Sequence, residues 1–228
     1  MDKTPQKFHT RNVLSVSFAH FIHDVYSSFL APILPLLIEK LSINYSYAGL
    51  LAFSQRVPAL FNFILGMHIG RFKIRYFVIF TPGITAVCMS LLGLAPHYIV
   101  AVVLLLSMGI SGAFFHVPAP VVIKKFSGDR VGRGMSFYMV GGELARTLGP
   151  IIILGAVSWW GLEGTYRLIP FGFSCIGHHG LFHAFHRPCG TRPCYGSGHG
   201  TTNLYEWNIY DHYLHFRFNH RFADWCDE

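Results

Sequence analysis

His20, His23 and Asp24 are the side chains of this sequence whose types and spacing most readily do chemistry. Residues three and four apart share one face of a helix, so two imidazoles and a carboxylate point the same way. They sit inside NVLSVSFAHFIHDVYSSFLAPILPLLIEKL, Asn12 to Leu41, an apolar run longer than the about 20 residues needed to cross a bilayer. An ionisable group facing lipid is costly, so this face should look into protein or a water-filled cavity. Burial favours the neutral carboxyl and a facing cation favours the anion. A carboxyl that exchanges its proton for a cationic partner is what coupling to a proton gradient requires. Arg56, on the next apolar run, is the expected cation. The blander reading makes the histidines core residues hydrogen-bonded to neighbours.

Three further groups fall at bilayer depth. Glu143 and Arg146 are three residues apart on a helix and can pair while facing a cavity. Gly141, Ala145 and Gly149 recur every four residues on another side of that helix, a small-residue ridge that lets a neighbour approach closely. His116 precedes Pro118 and Pro120, two residues that interrupt the helical hydrogen-bond ladder. Freed carbonyls at that depth need protein or a water-lined cavity to receive them, so a hinge or a site wall is expected there.

The elements that must hold these groups are membrane spans. Only 13% of the 228 residues are charged and mean hydropathy is +0.39, against about a quarter charged in a soluble domain. The all-α membrane class follows, with spans expected near 13–38, 47–69, 76–95, 98–123 and 135–158 and a sixth starting near 165. The formal charge of +7 is explained by location and implies no nucleic-acid partner. Lys3, Lys7, Arg11, then Arg71, Lys73, Arg75, then Lys124, Lys125, Arg130, Arg133 fall on one side, whereas Lys40 and Arg167 fall on the other. That bias predicts a cytoplasmic N-terminus. No phosphate-cradling glycine loop, HExxH or nucleophile elbow is present, so no enzyme and no cofactor are expected.

The character changes at residue 174. Valine occurs fifteen times before it and not once in the final 55 residues, which hold eight of the fourteen histidines and four of the five cysteines. No helical period or strand alternation persists there. The expected organisation is a transmembrane half-domain over 1–173 and a His/Cys-rich tail over 174–228, produced by a reading-frame change and poorly ordered. His178, His179, His183, His186, Cys189 and Cys194 match no zinc-site spacing, so no metal is expected in the tail.

The strings HFIHDVYSSFLAPILPLLIEKL, FFHVPAPVVI and GMSFYMVGGELARTLGPIIILGAVSWWGLEGTYRLIPFG closely resemble the fosmidomycin-resistance group of the major facilitator superfamily. Those are drug efflux carriers built from two six-helix halves, and the resemblance covers about residues 12–173, the N-terminal half. It implies export of a small-molecule drug in exchange for protons. It also implies a gating loop after the second span, matched by Gly66, Arg71, Lys73 and Arg75, although Gly70 stands at its acidic position. Ala145, Gly149 and Pro150 match the fifth-span antiporter signature, with alanine in place of the usual glycine. Half a carrier holds half a site, so a fragment with little or no activity of its own is expected. Two other readings stay open: a membrane metal or haem protein using His20, His23 and His116, and a half-transporter subunit pairing with a second chain.

Overall fold

The computed structural model describes residues 7–68 and 74–178, and among these every regular element is helical. The chain divides into two units, Met1–His186 and Arg187–Glu228; the second lies outside the described residues, as do Arg71, Lys73 and the expected tail from residue 179 onward. Five stretches are long and apolar enough to cross a membrane: Thr10–Leu41, Tyr45–His68, Tyr76–Leu94, Tyr98–Ser127 and Val131–Trp160.

Three of the five spans expected as single helices are broken, and proline accounts for each break. The first consists of α1 (Thr10–Ser27) and α2 (Leu30–Leu41). Pro32 and Pro35 have no N–H to offer the carbonyls of Ser28 and Ala31, so the chain stops and restarts just before them. The Gln55 side-chain amide donates to the Ser27 carbonyl at 3.0 Å, which anchors the break to the next span. That span runs through α3 (Tyr45–Arg56), a 3₁₀ turn at Val57–Phe61 containing Pro58, and α4 (Asn62–His68). α5 (Ile74–Leu91) carries the third span and ends in a 3₁₀ turn at Leu92–Leu94. The fourth divides into α6 (Tyr98–His116) and α7 (Pro118–Ser127), with Pro118 opening the second piece, where a missing N–H costs nothing. α8 (Val131–Trp160) is continuous through Pro150. After a 3₁₀ turn at Glu163–Leu168, α9 (Ile169–His178) follows and carries the helical backbone past the boundary expected at 173.

α1 is the hub. It packs chiefly on α8 and also on α5 and α7, while α3 lies on α6 and α9 on α5. Small residues set these approaches. A Cβ at Gly141 would sit 2.7 Å from the Ser17 carbonyl, and one at Gly149 would meet Ser28 Oγ and lie 2.7 Å from the Val25 carbonyl. The expected ridge therefore packs α8 onto α1 backbone to backbone. Ala145 is fully buried between them. Gly66, on α4, has only Val117 nearby, and Arg75 lies in the first turn of α5.

The two ends of the bundle are tied differently. At one end the His9 amide donates to the Phe126 carbonyl at 2.9 Å and the Arg133 guanidinium lies over the Phe8 ring, joining the N-terminal lead to the connection before α8. At the other, Lys40 Nζ donates to the Gly93 carbonyl at 2.7 Å and to Glu163 Oε1 at 2.8 Å. The hydrogen bond from Lys40 holds the Glu163 carboxyl below its ordinary value. A depressed carboxyl contributes stability above the unfolded pKa, about 4.3 for glutamate, and loses it as pH falls through the lower folded value. Glu163 is largely exposed, so solvent screening keeps that contribution small. In thermal melts, Glu163→Gln should flatten only the acid limb, whereas Lys40→Met should lower the melting temperature at neutral pH because the Gly93 carbonyl also loses its donor.

Candidate functional site

Three helices deliver one polar cluster into an apolar interior. α1 brings His20, His23 and Asp24, all buried, and α6 brings His116 from its last residue. α8 brings Arg146, Glu143 and the backbone around Tyr138. Asp24 is the centre, with its side chain only 4% exposed. Its Oδ1 lies 3.1 Å from His23 Nδ1 and 3.3 Å from His116 Nε2; its Oδ2 lies 3.3 Å from His20 Nε2 and 4.0 Å from Arg146 Nε. A buried carboxylate persists only when paired and hydrogen-bonded, and here every partner is a nitrogen that can donate.

The hydrogen bonds fix where protons sit. His20 Nδ1 lies 2.8 Å from the Tyr138 carbonyl, and a carbonyl only accepts, so Nδ1 carries a proton. His20 Nε2 can then meet Asp24 Oδ2 in two ways: as an imidazolium beside a carboxylate, or as a neutral ring accepting from a protonated carboxyl. In either form the pair can hold one proton between them. His23 donates from Nδ1 to Asp24, and its Nε2 is buried with no hydrogen-bond partner among the described residues, which favours the neutral tautomer.

Packing holds the rings in place. His20 stacks on Tyr138 with centroids 3.8 Å apart, and His23 stacks on Phe115 at 4.8 Å. The His116 ring stands edge-on to both histidines, at 5.3 and 4.8 Å. Gly142 makes the space, since a Cβ there would lie 2.6 Å from His20 Cε1 and 3.3 Å from Asp24 Oδ2. The site also has an open side: the side chains of His116, Arg146 and Glu143 are 39%, 63% and 64% exposed. Arg146 Nη1 donates to Glu143 Oε1 at 2.9 Å, the pairing that a three-residue spacing allows.

Arg56 is not the cation of this site. It is exposed at the end of α3, beside the turn that Pro58 imposes, and it makes no ion pair with Asp24. Arg146 takes that place because the α8 ridge brings its helix, rather than α3, against α1. Tyr138 and Gly142 went unnoticed in the sequence. The available signal is a buried stripe at helical spacing, Gly134, Tyr138, Gly142, Ala145, Gly149, Ile153 and Ala156, of which only Ala145 and Gly149 belong to the expected ridge.

This arrangement can bind, hold and release a proton beside an exposed ion pair, and comparison with known proteins agrees with a transporter. The chain is 25% identical over 143 residues to an uncharacterized MFS-type transporter, YfnC, of Bacillus subtilis, covering 61% of this chain and 34% of that protein. It is 23% identical over 164 residues to the fosmidomycin resistance protein of Escherichia coli, covering 68% of this chain and 40% of that one. The chain thus spans well under half the length of these curated relatives. No solved structure matches it. The model of the Major Facilitator Superfamily matches residues 16–182, most of the chain and every residue of the cluster, and the chain belongs to that superfamily of membrane transporters.

Proposed function

We propose that this chain forms one half of a proton-coupled antiporter that exports a small-molecule drug across the inner membrane, with its N-terminus in the cytoplasm. The observation that carries the reading is the buried Asp24 carboxyl, which faces the His20 imidazole at 3.3 Å and has Arg146 at its edge. A proton entering the pair weakens the hold on Arg146 and frees it toward Glu143 or a substrate; departure of the proton draws it back. Alternating access in such carriers rocks one half on the other around a midplane site. The exposed Glu143 and Arg146 supply one wall of that site, and a second six-helix unit, in the same polypeptide or separately encoded, supplies the other. The described helices alone should not transport.

Drug export rests on the likeness to the fosmidomycin resistance protein and on the Ala145, Gly149, Pro150 signature. The orientation rests on the basic lead and the basic connection before α8, which meet at one end of the bundle.

The test is uptake of fosmidomycin by inside-out vesicles containing the intact carrier under an imposed pH gradient. Uptake that collapses with the gradient supports the reading; uptake indifferent to it overturns antiport. Within that assay, Arg146→Gln should cut gradient-driven uptake at least about tenfold, the loss of an interaction worth ~1.4 kcal/mol. Arg56→Gln should leave it within twofold, and the reverse order would return Arg56 to the mechanism.

A further inference from the structure

The contacts around Asp24 are long for what they join. Charge-assisted N–H···O bonds run at about 2.7–2.9 Å, yet His20 Nε2 and His116 Nε2 each stand 3.3 Å from an Asp24 oxygen. A tetrahedral metal ion about 2.0–2.1 Å from each nitrogen and oxygen ligand holds those ligand atoms about 3.3–3.4 Å apart. Each imidazole already stands at that distance from one oxygen of the same carboxylate, His20 Nε2 from Oδ2 and His116 Nε2 from Oδ1. The three ligand atoms lie within 4.8 Å of one another, and rotation of the half-exposed His116 ring brings its Nε2 toward Oδ2, the oxygen that His20 faces.

The surroundings are those a metal site needs. A ligating imidazole is oriented by the proton on its other nitrogen, and a ligating carboxylate by donors to its free oxygen. His20 Nδ1 donates to the Tyr138 carbonyl, so Nε2 faces Asp24, and His23 Nδ1 donates to Asp24 Oδ1. The Tyr138 and Phe115 rings clamp His20 and His23. Arg146 is the one neighbouring cation among the described residues of the cluster, and its guanidinium already bonds Glu143, toward which it can turn. The exposed flank of His116 leaves a fourth position open to water.

We propose that His20 Nε2, Asp24 and His116 Nε2 bind a divalent transition-metal ion of the zinc class. Two imidazoles and one carboxylate suit zinc, cobalt and nickel and offer no thiolate for a softer ion. Bound there, the ion takes the place a proton would hold between His20 and Asp24 and ties α1 to α6. The inference goes beyond the transport reading and does not depend on it, since binding is read without any flux.

The experiment is titration of the purified full-length chain in detergent with cobalt chloride, followed by absorption spectroscopy. The expected result is a set of visible ligand-field bands of a tetrahedral nitrogen and oxygen site. Any cobalt held by the cysteines of the C-terminal stretch is distinguished by its thiolate-to-metal charge-transfer band. Asp24→Asn and His116→Gln should each weaken the ligand-field signal by more than the roughly 10- to 100-fold that losing a ligand's supporting hydrogen bond costs. His116→Asp, which keeps a ligand atom at an exposed position, should retain it. Zinc should raise the melting temperature of the parent chain and not that of His116→Gln. Ligand-field bands that survive both Asp24→Asn and His116→Gln, or cobalt signals that are thiolate alone, overturn the proposal.

Discussion

Asp24→Asn in the intact carrier should abolish gradient-driven export, a drop of about 100-fold or more, the scale reached when a proton-transferring group is removed. The amide has nearly the volume of the carboxyl, so the space left by Gly142 and the stacking of His20 on Tyr138 remain filled. It never titrates, however, and His20 Nε2 then has no partner with which to share a proton. The asparagine oxygen accepts from one or two of the three imidazoles, and any buried donor left unsatisfied costs about 1–3 kcal/mol. The variant should be somewhat less stable but folded. Exchange of labelled drug across vesicles with no pH gradient separates the two effects: it should persist in Asp24→Asn while uphill transport is lost. Uphill transport unchanged from the parent would remove Asp24 from the coupling mechanism, and loss of exchange as well would assign it to drug binding or to folding.

Gly149→Leu should be the most disruptive substitution for the bundle itself. The residue faces the Val25 carbonyl and the Ser28 hydroxyl where α1 ends. Overpacking by even a methyl costs typically about 1–3 kcal/mol when neighbours can shift; a backbone carbonyl at this distance cannot shift without breaking α1. Membrane helices have little hydrophobic drive to associate with one another and rely on such close approach, so a leucine should separate α8 from α1 and scatter the cluster. Gly155→Leu is the matched control on the same helix, since a Cβ there meets nothing within 4 Å. Fluorescence-detected size-exclusion after heating should show Gly149→Leu aggregating well below the parent and Gly155→Leu close to it. Equal melting of the two variants would show that α8 is not held to α1 through this ridge.

Much of this architecture is written in local sequence. Spans are legible because a bilayer demands about 20 apolar residues and leaves few alternatives, and the five apolar stretches are those expected, shifted by a few residues at their ends. The breaks at Pro32, Pro58 and Pro118 follow from a missing N–H, a property of one residue, although their consequence, helices in two or three pieces, showed only in the fold. Spacing alone put His20, His23 and Asp24 on one face and paired Glu143 with Arg146.

What one helix meets on another is a different matter. Periodicity states which way a side chain points and says nothing of what stands opposite. His116 reaches Asp24 from 92 positions away, and Arg146 rather than Arg56 supplies the cation, because both depend on which helices cross and how closely. The His20 proton is placed by a backbone carbonyl at Tyr138, which is not a feature of any side chain. Composition and spacing therefore determined the spans, their interruptions and the faces they present. The tertiary structure alone decided the partners of Asp24, since crossing angle and approach distance are set by the packed small residues of α8 against the backbone of α1, a relation between segments more than a hundred residues apart.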